Sequence, residues 1–462
     1  MHWIDYVIVA VYMLVVLGVG FWFYRRKQGV EGYFVGDRGM GAGHIGLSVV
    51  ATDVGGGFSI GLGGVGYVMG LSGSWLLFTG LVGAWLSAII LIPRVKPLGD
   101  RYGWLSFPDF LEHRFDGRMR LAAAVFSAIG YAGFVGAQIK AGAHLSTAAF
   151  GLDITTAVWV MAFVVIVYTA FGGLKAVVYT DTVQWIILLA GLLFLAIPFA
   201  WQHVGGLEGL RAGLPEGHLA LDNVSAFKVA QWFVTIIPIW FVGMTLYQRI
   251  YATRDERTAK RAWFMAGLLE YPIMAFAGAL LGTISRAVFP DLAHPEAGLP
   301  LLISTVLPIG VTGVVMAAYF SAIMSTADSC LLASVGNLVG DIYHKYIDPK
   351  ANERRLLGLT RLLTVGIGFG SVAIAMALPN VLDGILLSYA VMAAGLFVPT
   401  LGGLLWPRVG PLAALASAAT GGVTAFVLTI FPALDPWGEP LFLALPLSAL
   451  TLVVTTVARP AR

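Results

Sequence analysis

Charge is scarce in this sequence. Only 11% of the 462 residues are Asp, Glu, Lys or Arg, where a soluble domain carries about 25%. A surface built from so few charges cannot mostly face water, which excludes a soluble enzyme. A disordered chain is excluded too, because it would need a polar composition. The formal net charge of +3 is too small to call for a polyanion, so no nucleic-acid partner is expected. The one cysteine, Cys330, can form no intrachain disulfide and supports no zinc or iron–sulfur spacing. What is abundant is apolar: 58% of the residues, with a mean hydropathy of +0.84. The composition is that of a multi-pass protein of the cell membrane, with the lipid bilayer as its solvent.

About 20 apolar residues in helix cross roughly 30 Å of hydrocarbon. Thirteen runs of that kind occur, near 4–24, 44–70, 73–93, 121–148, 154–172, 177–201, 228–248, 263–286, 305–340, 355–378, 381–403, 410–431 and 440–459. In the first, the basic cluster Arg25, Arg26 and Lys27 follows the apolar run instead of preceding it, so it reads as a retained anchor and not a cleaved signal. With the amino terminus outside and the spans alternating, 24 of the 28 Lys and Arg residues fall on the inner side. That bias is the positive-inside rule, and it places the carboxyl terminus in the cytoplasm. No soluble domain is visible; residues 202–227 read as an outer loop. Two hydrophobic runs look interrupted. Run 44–70 contains Gly55-Gly56-Gly57 and then Gly61, Gly63, Gly64 and Gly66, while run 228–248 contains Pro238 and Gly243.

Each charge at mid-bilayer costs about 2.5–3.5 kcal/mol and needs a reason. Asp53, Lys140, Asp181 and Asp328 fall inside spans, and Glu270 is a weaker fifth case. Structural ion pairs or caps of broken helices would explain single carboxylates. Their clustering points further. Asp53 comes just before the triple glycine, where an unwound helix frees carbonyl oxygens that must line a cavity or hold a ligand. Ser325, Thr326, Asp328 and Ser329 lie within five residues, and 325, 328 and 329 share a helix face. Hydroxyl, carbonyl and carboxylate oxygens suit an alkali cation. No base is placed to activate Ser325 or Thr326 as a nucleophile, so an enzyme is not expected.

Four stretches carry a resemblance: ATDVGGGFSIGLGG at 51–64, YTAFGGLKAVVYTDTVQ at 168–184, YQRIYATRD at 247–255 and FSAIMSTADS at 320–329. In these the chain resembles the sodium:solute symporter family, and the similarity runs over nearly its whole length. The resemblance implies an all-α membrane protein with the LeuT-type 5+5 inverted repeat and an extra N-terminal helix. The whole chain, 1–462, would then be one transporter domain, with repeats at 44–201 and 228–403 and further helices over 404–462. It implies Na⁺ bound by the carbonyls of Ala51, Val54 and Ala322 and the hydroxyls of Ser325 and Thr326. A second sodium or proton site would fall on Asp181, Ser325, Asp328 and Ser329, although Asp328 stands where a hydroxyl is usual.

The implied function is sodium-coupled import, by alternating access, of a small polar organic solute such as an amino acid or small carboxylate. A sugar or choline-type solute, or an uncoupled channel or sensor of the same fold, are the alternatives. Choline fits poorly, since the tryptophans of the choline transporters fall here on Asp53 and near Gly243. For the solute, Asp53, Phe58, Trp75, Phe134, Gln138, Lys140 and Trp240 are the candidate contacts. Lys140 would either bind a substrate carboxylate, pair with Asp53, or snorkel outward.

Overall fold

The computed structural model describes residues 1–25, 35–171 and 174–459. Arg26 and Lys27 of the basic cluster, Gly172 and Gly173 of the second motif, and Arg462 lie outside the described residues. The described chain is helical throughout, the only β pairing among its residues being an isolated bridge between Met40 and Thr253. By length and apolar composition, nine helices among the described residues can cross a membrane, and a pair bent by 44° makes ten. Trp3–Val16 and Ile154–Ala170 are shorter apolar helices.

In chain order the helices used below are α1 (Trp3–Arg25), α2 (Ala42–Asp53), α3 (Gly55–Met69), α4 (Trp75–Ile90), α5 (Ile92–Tyr102), α6 (Phe107–Arg114), α7 (Gly117–Phe150), α8 (Ile154–Phe171) and α9 (Leu174–Ala190). They continue with α10 (Ile197–His203), α11 (Gly206–Gly213), α12 (Ala226–Val242), α13 (Met244–Ala252), α14 (Glu256–Leu268) and α15 (Ala275–Val288). The series ends with α16 (Gly298–Val306), α17 (Val311–Gly336), α18 (Glu353–Ala377), α19 (Val381–Leu405), α20 (Pro411–Ile430) and α21 (Leu441–Ala458).

Local signals set many of these ends. Asp116 accepts the amide of Met119 and starts α7, while Gly151, at φ 68°, closes it. Ser225 accepts the amide of Lys228 at the start of α12. Asp5 of α1 is buried and accepts the amides of Gly310 and Gly313 at 2.7 and 3.0 Å, capping α17 from another helix. A carboxylate there complements the positive end of the helix dipole. The span containing α17 lies at the centre, with 94% of its most apolar window buried, whereas that of α21 is 28% buried and lies at the periphery.

Three sequence expectations change. Residues 305–310 are not part of the ninth helix: α16 ends at Val306, and α17 starts at Val311. The outer segment 202–227 contains the short helix α11. The second glycine group does not break run 44–70, because Gly61–Gly66 lie inside the continuous helix α3. Their lack of side chains serves packing. A Cβ on Gly66 would sit 2.3 Å from the Ala279 carbonyl oxygen, and one on Gly282 would sit 2.0 Å from that of Gly63. Small residues thus bring the backbones of α3 and α15 together, the usual device where lipid leaves no hydrophobic drive for helix association.

Candidate functional site

The first interruption is confined to Val54 and Gly55. Gly55 adopts φ +46°, and a Cβ at this position would strike the Thr326 hydroxyl at 2.2 Å. Both facts demand glycine. The break brings α2 against α17. Thr326 Oγ1 lies 2.9 Å from the Ala51 carbonyl oxygen and 3.0 Å from that of Ala322, one turn earlier in its own helix. Three of the five expected sodium ligands therefore meet in one buried oxygen cluster. The Ser325 hydroxyl points differently and donates to Asp181 Oδ1.

Beside this cluster sits an arginine of the stretch YQRIYATRD at 247–255. Arg249, in α13, is fully buried. Its Nε donates to Ser48 Oγ at 2.9 Å, and its Nη1 to the Thr245 carbonyl at 3.2 Å. Its Nη2 reaches Thr52 Oγ1 at 2.5 Å, Ser329 Oγ at 3.0 Å and Asp181 Oδ2 at 3.3 Å. Ser48 in turn donates to Asp181 Oδ2 at 2.5 Å. The expected second site thus has Asp181, Ser325 and Ser329 gathered together, with a guanidinium already among them. Asp328 is fully buried in the same helix as Ser325 and Ser329. The signal in the sequence was the company Arg249 keeps: Tyr247, Ile250 and Tyr251 surround it, all fully buried.

The second interruption, at Gly243, separates α12 from α13 and leaves Pro238 inside an intact helix. Thr245, just beyond it, accepts from or donates to the Tyr131 hydroxyl at 3.0 Å, and its amide donates to the same oxygen. Tyr131 lines a small cavity with Thr52, Asp53, Phe134, Cys330 and Tyr389, among others. The Tyr389 hydroxyl donates to Asp53 Oδ1 at 3.1 Å, and the Phe134 and Tyr389 rings lie 5.3 Å apart. The cavity measures about 10 Å³, room for about one water.

The remaining candidates for solute contact divide. Gln138 lies against Gly57, where a Cβ would meet its Oε1 at 2.3 Å, and both amide atoms are buried without partners among the described residues. It shares the face of α7 that carries Tyr131 and Phe134. Phe58 is buried in α3. Trp75 donates its indole N–H to the Leu221 carbonyl at 2.8 Å and packs edge-on against Phe78. Trp240 is fully buried against Trp263 and Gly83. Neither tryptophan is among the residues lining the Asp53 cavity. Lys140 donates to the Leu378 carbonyl at the end of α18, so its ammonium pairs with a backbone oxygen and not with Asp53.

A family model described as the sodium:solute symporter family matches residues 33–421. The chain is 29% identical over 459 residues to the sodium/pantothenate symporter of Escherichia coli K12, covering 96% of this chain and 94% of that one. It is 28% identical over 428 residues to the high-affinity proline transporter PutP of Bacillus subtilis 168, covering 88% and 89%. Against the sodium/glucose cotransporter of Vibrio parahaemolyticus it is 26% identical over 508 residues, covering 99% and 91%. In three dimensions it matches the substrate-bound outward-open state of a Na⁺-coupled sialic acid symporter with a TM-score of 0.82 at 21% identity, over 99% of both chains. The chain belongs to the sodium:solute symporter family, as a membrane transporter of the LeuT-type fold that couples Na⁺ to a small-molecule solute.

Proposed function

We propose that the protein imports a small polar organic solute of amino-acid or small-carboxylate size, together with Na⁺ held by Ala51, Val54, Ala322, Ser325 and Thr326. Thirteen crossings, an outer amino terminus and repeats at 44–201 and 228–403 complete this reading. The observation that carries it is the meeting of Thr326 with the Ala51 carbonyl at the break between α2 and α3. Each of these oxygens can turn from a hydrogen bond to a cation, so Na⁺ binding draws α2 and α17 onto a common ion.

The solute binds beside that ion, against Asp53, Phe134 and Gln138, with the Tyr131 and Tyr389 hydroxyls as further polar contacts. Arg249 then acts as a fixed cation in the second cluster. It ties α13 to α2, α9 and α17 through Ser48, Thr52, Asp181 and Ser329. Those bonds part when the inner path opens. Inward movement of one sodium charge gains about 2.3 kcal/mol per 100 mV, and a tenfold ion gradient adds about 1.4 kcal/mol. Together these support accumulation by roughly two orders of magnitude. No bond is made or broken in this cycle, which is why the reading needs no catalytic group.

A thermal-shift screen over amino acids, small carboxylates, sugars and betaines, each with and without Na⁺, tests the solute class. An amino acid or small carboxylate that stabilises the protein only in Na⁺ supports it. A sugar or betaine that does so, with no response to the first two classes, overturns it.

A further inference from the structure

Away from the ion and solute residues, charge gathers on Arg120 of α7, a buried guanidinium. Its Nη1 pairs with Asp109 at 2.7 Å and with Glu112 at 2.5 Å, both on α6. Its Nη2 pairs with Asp341 at 2.6 Å, in the segment Asn337–Ile347 that continues α17. Lys345 of that segment pairs with Glu112 at 2.9 Å, and Ser106, the cap of α6, donates to Asp341 at 2.8 Å. At the far end of α6, Arg114 donates to the Gly403, Trp406 and Pro407 carbonyls at 2.9, 3.1 and 3.1 Å, where α19 ends. Bonds to charged groups are short and directional, so they set one geometry. One side of α6 is thereby fixed to α7, α17 and α19.

Its other side meets α13 without such bonds. Phe107 and Phe110 face Tyr247, their ring centroids 4.7 and 6.4 Å from that of the tyrosine, and all three are buried. Among the described residues, the one hydrogen bond between the two helices runs from the Phe107 amide to Met244 Sδ at 3.3 Å, a weak acceptor. Dispersion contacts have no preferred direction, and seams of this kind allow packed helices to slide. Room for sliding exists: Met244, the first residue of α13, borders a cavity of about 190 Å³ that Asp109, Arg120, Asp341 and Thr360 also line. The chain itself changes sides between Trp104 and Leu105. The Trp104 amide donates to the Gly99 carbonyl of α5 at 3.0 Å, and Lys96 of α5 donates to the Thr253 carbonyl, just past the end of α13, at 2.6 Å. The Leu105 amide instead donates to Asp109 of α6 at 2.8 Å.

We propose that Arg120 is a positioning residue of the transport cycle, the pin that keeps α6 fixed while α13 slides past it. α5 and α13 move together about the Trp104–Leu105 link, and Phe107 and Phe110 form the surface they move over. The inference rests on the symporter reading, in which the Arg249 bonds part as the inner path opens, and adds the wall against which α13 then moves. Without the pin, α6 follows α13 and the path opens less often. The step that suffers is the movement, not the binding of sodium or solute.

Influx of ²²Na⁺ into proteoliposomes, stimulated by an external mixture of amino acids and small carboxylates, tests it with the full-length protein. Arg120→Gln is expected to lower the maximal influx by about tenfold, the size of one lost bond to a charged group. Half-saturating sodium should stay at the wild-type value, and Arg120→Lys should recover part of the rate. Two cysteine pairs keep the test open should Arg120→Gln fail to fold. Oxidising Ser106→Cys/Asp341→Cys ties α6 to the segment after α17 and should leave influx at or above its reduced level. Oxidising Phe107→Cys/Met244→Cys ties α6 to α13 and should stop it. Wild-type influx in Arg120→Gln, or a raised sodium requirement at unchanged maximal rate, would overturn the pin. So would influx that stops with the first disulfide or persists with the second. No stimulated influx in wild type would overturn the symporter reading instead.

Discussion

The Thr326 hydroxyl stands 2.9 Å from the carbonyl oxygen of Ala51, although the two residues are 275 positions apart. In that state the hydroxyl proton fills the space between oxygens. A sodium ion requires all of them to turn their lone pairs inward, so ion and hydrogen bond exclude one another. The contact would therefore report occupancy of the proposed sodium site, and Gly55 is its precondition, because any side chain there meets the same hydroxyl.

Thr326→Ala removes one oxygen from the proposed sodium shell and leaves the fold's apolar contacts nearly intact. The sodium concentration for half-maximal uptake should rise by about tenfold or more, the equivalent of a lost contact to a charged group. Ser325→Ala should act in the same direction and also release Asp181 Oδ1. Sodium titrations of initial uptake rates check both; unchanged half-saturation in both would remove these residues from the site.

Arg249→Gln leaves Asp181 buried without its cation, which costs about 3–5 kcal/mol for pairs of this kind. Asp181→Asn alone strands the guanidinium to similar effect. The double variant should be closer to wild type in thermal stability than the sum of the two losses, because neither charge is then orphaned. Additive losses would show that the two side chains do not interact.

Lys140→Gln should lower stability by about 1 kcal/mol through loss of the bond to the Leu378 carbonyl. Uptake of neutral and carboxylate-bearing solutes should fall by the same factor. A selective loss for carboxylates would instead place the ammonium on the substrate.

Glu296→Ala should destabilise the protein by about 1–2 kcal/mol, measured as a fall in Tm. The Glu296 carboxylate accepts the amides of Val381 and Leu382 at 2.7 and 3.0 Å, so it caps α19 from a distant loop. Glu296→Gln keeps one acceptor and should recover part of the loss.

Much of the architecture was readable because membranes impose long apolar runs, and both interruptions fell at glycines noted in advance, Gly55 and Gly243. The Ala51–Thr326 meeting followed from the family resemblance more than from the residues themselves. Arg249 stood inside the informative stretch 247–255, but the counting rule that made the topology legible treats an arginine beyond an apolar run as loop, and its burial depends on tertiary packing. Gly61–Gly66 misled for a related reason. Glycine signals either a break or a close approach, and only the position of α15 separates the two. Glu270 looked marginal because nothing in one linear sequence says that it is buried against Gly80.

The most direct measurement is solute accumulation in proteoliposomes under an imposed sodium gradient, using a solute identified by the thermal-shift screen. The account expects internal solute to exceed the external concentration while the gradient lasts, to fall back when sodium is equalised, and to need far more sodium in Thr326→Ala. Solute that only equilibrates, at a rate indifferent to sodium and to Thr326, would contradict it.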